Sequence, residues 1–376
     1  MSRLPDKQFF DDVFAKEGGR LDTRRVPHIY LTRVLDYHLD RARDTVSLLK
    51  NRYPSMPHIY VDYLANQAIK AYAMEDTYQN RGLISISGGA VCLFFFVFRR
   101  MLADPRIMPD TGNPSMEDAS LPTLPQEPVR MTNVYTYTNA MADIGAEPHD
   151  SDRGCVAANL IEIGFDFLID HEYSHIALGH TFFYRELGQV PYISEFGWDE
   201  ADGLDNLTKQ AMEYAGDYSA SDAGLSKTLY RLDHPELVNE PFRFLYTNAE
   251  EALYRWFFAV FASYRMFGRR SFDLDNLESS SHPHYRIRQR AVCYFALDYF
   301  EEHRPELAPL VMSIAERTLE DVERAYAQIT ATDPQSSEIK VAFEDPRVNV
   351  HVRKLIARGK EIEVNLINAT GHRLKP

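Results

Sequence analysis

The stretch FDFLIDHEYSHIALGH, residues 165–180, limits what this chain can fold into more tightly than any other part of it. Ala158, Ile161, Phe165, Leu168 and Glu172 recur at steps of three or four, the period of one helix face. On such a helix His171 and His175 lie one turn apart and only about 40° apart around the axis. The apolar lead-in IEIGFDFLI places the helix in the interior. An interior helix does not carry two histidines and a glutamate without partners for them.

Two imidazoles so placed can reach one tetrahedral metal ion. Glu172, one position round, can touch a water on that ion without ligating it. The competing reading is a chance pattern on an ordinary helix. A hydrolytic zinc site also needs a third protein ligand. Gly179 and His180 follow His175 by four and five residues. Gly179 is read as the end of the helix, and His180 as a helix-end residue or a support for a ligand. The better candidate lies in MEYAGDYSASD, residues 212–222, where Glu213 and Asp217 are four apart on an expected helix. Glu213 can ligate the metal while Asp217 takes the N–H of a ligand histidine. A solvated acidic helix face is the alternative. The small residues Ala215, Gly216, Ser219 and Ala220 favour close packing against another helix instead.

Taken together, HEYSH, EYAGD and the later SSSHPHYRIRQRAV (279–292) resemble the gluzincin metalloendopeptidases, in particular the HtpX and CAAX-prenyl-endopeptidase kind. His282-Pro283 is followed by Arg288 six residues after the histidine, as in that group. The resemblance covers about residues 58–100 and 156–295. It implies an α+β, mostly helical, zincin-like metallopeptidase fold with a small edge-exposed sheet and an active-site helix. It also implies zinc held by His171, His175 and Glu213, with Glu172 as general base. His282 would hydrogen-bond the developing oxyanion, and Arg288 would help organise the site. Strand 83–88 would offer an edge to an extended protein or peptide substrate. Gln289 departs from the group's usual isoleucine, and the insertion at about 104–155 separates strand from metal helix more widely than usual. The group's membrane helices are missing, so its lipidated or membrane substrates are not carried over. The phage-exclusion peptidases of the Lit type offer a second resemblance, in the motif alone.

The remainder of the chain divides into an N-terminal helical region (1–57), the metallopeptidase region (58–303) and a C-terminal helix with a strand and loop tail (304–376). Helices are expected at 30–52, 156–179, 205–230, 247–267, 286–302 and 305–330. Residues 56–74 read as extended chain leading into a short helix, and VRMTNVYTYTNA (129–140) as a strand. GLISISGGAVCLFFFVFRRML, residues 82–102, is nearly long enough to suggest a membrane span. Its serines and the Gly88-Gly89 pair favour a buried strand, a turn and a buried helix. A net charge of −14 disfavours nucleic acid and acidic membrane faces as partners. Three scattered cysteines and no secretory leader suit a cytoplasmic protein. Two further classes remain open: a catalytically silent regulatory or binding protein on the same scaffold, and a helical interaction protein with a fortuitous motif.

Overall fold

The computed structural model describes residues 6–26, 28–66, 70–76, 78–124, 146–186, 192–194, 204–268 and 271–370. The segment 129–140, read as a strand, lies outside them. Most of the described chain is helical, with one small sheet.

Helices α1 (Asp6–Val13) and α2 (Ile29–Arg52) precede strands β1 (His58–Leu64), β2 (Ala71–Asp76) and β3 (Arg81–Ser87). Helix α3 (Gly88–Leu102) follows β3 directly, with the Ser87 hydroxyl accepting from the Ala90 N–H as its cap. Gly88 and Gly89 therefore form the first helical turn and not a separate loop. The run 82–102 is apolar because nearly all of α3 is packed inside the protein. No helix among the described residues is long and apolar enough to cross a membrane.

The sheet order is β1-β3-β2-β4, where β4 is Tyr192–Ser194. β1 runs parallel to β3, and β2 antiparallel to both β3 and β4. Two expectations are corrected here. Strand 83–88 is no exposed edge, since β3 is paired on both sides, as its unbroken burial requires. The end of 56–74, read as a short helix, is the start of β2. Ala71, Met74 and Glu75 are good helix formers, but pairing of Tyr72 with Ser85 and Met74 with Leu83 outweighs that preference.

Helix α4 (Ser151–Ala177) runs through the core and starts at an Asp150 cap that accepts from the N–H groups of Asp152 and Arg153. From Val156 onward it is buried nearly all round, and only the line Ala158, Glu162, Asp166 looks outward. Ala158 thus belongs to the solvent side, not to the apolar stripe. Glu162 and Asp166 pair with Arg41 of α2 on that side. The N-terminal part of the insertion is held by the buried Arg153, whose guanidinium donates to the carbonyls of Leu102, Asp104, Ile107, Met108 and Thr111.

Helices α5 (His180–Glu186), α6 (Asn206–Asp233), α7 (Ala249–Phe267), α8 (Tyr285–His303) and α9 (Ala308–Thr330) complete the main body. One apolar core joins Leu35 of α2, Ile84 of β3, Phe94 of α3, Leu160 of α4, Phe257 of α7 and Val322 of α9. The tail, expected as strands and loop, is corrected to two helices, α10 (Ser336–Glu344) and α11 (Pro346–Thr370). Val348, His351, Leu355, Ile362 and Leu366 form a buried helical stripe, and α11 packs on α6. The alternation VNVHV imitates strand periodicity, but the spacing over the whole segment is helical.

Candidate metal centre

Helices α4 and α6 lie against one another and meet at three side chains: His171, His175 and Glu213. His171 Nε2 is 3.1 Å from His175 Nε2 and 3.2 Å from Glu213 Oε2, and His175 Nε2 is 3.5 Å from Glu213 Oε1. Ligands about 2.0–2.1 Å from a tetrahedral zinc stand about 3.3 Å from one another, so this triangle has the right size. All three residues are buried, and together they could hold a metal ion. Three such groups crowded together without a cation would face a large desolvation penalty.

The far side of each imidazole is also engaged. His171 Nδ1 is 3.0 Å from Asp217 Oδ1, and His175 Nδ1 is 2.9 Å from His180 Nδ1. With its Nδ1 proton given to that partner, each ring turns an Nε2 lone pair toward the shared point. Gly179, at φ +80°, ends α4 in the left-handed conformation and lets α5 start at His180. Burial pushes His180 down to about 3, and the neighbouring His171 acts in the same direction. His180 is therefore neutral and can accept from His175.

Asp217 is tied in turn to Arg288 of α8, whose Nε and Nη2 donate to Oδ2 at 2.8 Å and Oδ1 at 2.7 Å. Burial raises the Asp217 carboxyl, but the Arg288 charge and the hydrogen bonds from Arg288 and His171 outweigh it and hold the group below the ordinary carboxylate range. Arg288 also stacks over Tyr264 of α7, 4.7 Å from the ring centre. Its contact with the triangle is a longer one, 3.9 Å to Glu213 Oε2. Arg288, expected to organise the site, is thus linked to the triangle chiefly through Asp217. His282, partly exposed, places Nε2 3.9 Å from Glu213 Oε1 on the other side of the carboxylate. Glu172 is fully buried beside His171.

His171, His175, Glu213, Asp217, His282 and Arg288, all singled out in the sequence, therefore lie within reach of one another, and Glu172 follows His171 in the buried part of α4. Gly216 and Tyr264 carry roles that the motifs do not name. A Cβ at position 216 would lie 2.7 Å from His171 Cε1, so the missing side chain makes room for the ligand ring. The small residues around Glu213 were the available signal for it. Tyr264 carries none, since nothing distinguishes it from the other aromatic residues of α7.

Known family models, curated proteins and solved structures include no match to this chain.

Proposed function

We propose that the chain is a zinc-dependent endopeptidase with a zincin-like fold. The observation that carries this reading is the His171–His175–Glu213 triangle, sized for tetrahedral zinc, with Glu172 next to its first ligand. The packing of α4 against antiparallel β2 on one side and α6 on the other supports the fold assignment.

Zinc bound by the three residues would supply a Lewis acid and bring the pKa of its water toward neutrality. Glu172 takes a proton from the attacking water and later delivers it to the leaving amine. His282 donates to the former carbonyl oxygen as negative charge builds there. Asp217, fixed by Arg288, and His180 keep the two imidazoles in the tautomer and orientation that ligation needs. An extended peptide would add to the sheet at β4, the outer strand next to β2 among the described residues, and not at 83–88.

Burial of the whole triangle also favours a second reading, a catalytically silent scaffold that holds zinc for structure. Glu172→Gln separates the two. The amide keeps the size of the side chain and cannot take the proton, so zinc content and fold should be unchanged. Cleavage of a proteome-derived peptide library, read by mass spectrometry, is expected to fall by about 10²–10⁴. Equal cleavage by both forms would reject the assigned base, and no cleavage by zinc-loaded wild type would leave the silent scaffold.

A further inference from the structure

The face of α6 that carries Glu213 continues toward the helix start as Gln210 and Asn206. Both amides point at the segment between the short 3-10 turn Leu274–Asn276 and α8, where His282 sits. Asn206 Nδ2 donates to the Glu278 carbonyl at 3.0 Å. Gln210, fully buried, donates through Nε2 to the carbonyls of Leu277 at 2.9 Å and Ser280 at 2.6 Å. Its Oε1 is 2.8 Å from Nε2 of His351, a buried residue of α11. With the amide nitrogen committed to two carbonyl oxygens, the amide oxygen must face His351, and His351 must be the donor. Beyond Ser280 the chain continues in the same fixed manner. Ser280 Oγ accepts from the His282 N–H at 3.3 Å, and Ser281 Oγ lies 3.0 Å from His282 Nδ1. Lys354 of α11, 2.6 Å from Glu278, secures the outer side of the segment.

We infer that Gln210 and His351 are positioning residues for His282, and that α11 serves as a strap holding the His282 segment in the frame of α6. This rests on the peptidase reading for its catalytic consequence, though not for its structural one. The physical basis is a shared rigid body. Gln210 sits on the same helix as Glu213, three residues earlier, so the bonds that fix the His282 segment refer it directly to the ligand triangle. His351 fixes the orientation of the Gln210 amide. Without it the amide is free to turn, and its donors leave the two carbonyls. A histidine that must meet a developing oxyanion tolerates little displacement, since a shift of about 1 Å can cost on the order of 10²-fold in rate.

The test uses the full-length, zinc-loaded protein with casein as the probe substrate. Gln210→Ala and His351→Ala are each expected to lower kcat about tenfold, the lower end for a supporting residue, with KM and zinc content unchanged. His351→Gln, whose amide N–H can donate to the same oxygen, is expected to restore most of the rate. In a His282→Ala background, Gln210→Ala should add no further loss. Loss of zinc, or full additivity with His282→Ala, would overturn the inference. Deuterium exchange of the amides between 277 and 284 provides a readout that does not depend on cleavage. It is expected to quicken roughly tenfold in both alanine variants, as a lost buried hydrogen bond implies. Unchanged exchange would overturn the strap. A loosened segment in a protein whose wild type cuts nothing would overturn the peptidase reading instead.

Discussion

A single missing carbon at position 216 makes room for the His171 ring between α4 and α6. Gly216→Ala puts a methyl group against that ring, 2.7 Å from its Cε1, so the ring must shift away from its partners or the helices must part. The expected outcome is a folded protein whose zinc affinity, measured by competition with a chelator, falls about tenfold or more. Unchanged affinity would mean that the helices can separate at no cost to the ligand geometry. At this scale the sequence was highly legible. A metal site needs particular atoms at particular spacings, so His171 with His175 and Glu213 with Asp217 declare themselves at four-residue intervals. His180 and Arg288 were legible as residues but not as contacts, because their partners come from turns and crossings that spacing does not encode. Another buried residue affects stability and not chemistry. His38 of α2 lies against Phe165, with its Nδ1 lacking a hydrogen-bond partner among the described residues, and burial lowers its pKa to about 4. The unfolded chain takes up a proton near pH 6.5 that the folded protein refuses until about pH 4. Stability is therefore undiminished by this group above 6.5 and drains away as pH falls through that window, by about 3 kcal/mol in all. His38→Leu should flatten that part of the pH dependence of unfolding. Parallel curves for the two proteins would contradict the assignment.

Among the elements, those with sustained helical spacing of apolar residues are readable, and those decided by tertiary partners are not. α4, α6, α7, α8 and α9 lie close to where their apolar spacing places them. β2 was lost because AYAMED is a helix-forming sequence made into a strand by β3 and β4. α11 was lost for the opposite reason: its valines and isoleucines favour strands locally, while its docking on α6 selects a helix. The two readings of the tail make different demands on its side chains. On a helix, Leu355 is fully buried while Val350 and Val364 are 48% and 59% exposed. Leu355→Ala is expected to cost about 2–4 kcal/mol in denaturant unfolding, or to release α11 at lower denaturant than the rest. Val350→Ala and Val364→Ala should each stay within about 0.5 kcal/mol of wild type. Comparable losses at all three positions would contradict the helix.

For the whole molecule, the candidate metal centre is a product of the fold and not of one segment. α4 supplies His171, Glu172 and His175, α6 supplies Glu213, Asp217 and the gap at Gly216, α8 supplies Arg288, and α7 the aromatic ring beneath it. Residues far apart in the chain must be assembled before any ion can be held, so metal binding and folding are linked, and a bound ion stabilises the native state by mass action. That convergence lies beyond what local sequence can reveal, although the motifs that converge are visible in it. The most direct measurement is the zinc content of purified wild-type protein beside His175→Ala, taken after dialysis against a small excess of zinc. The expected result is about one equivalent per wild-type chain, removable by a chelator, and none in the variant. Wild-type protein that is fully folded yet metal-free after zinc has been offered would contradict the account at its centre.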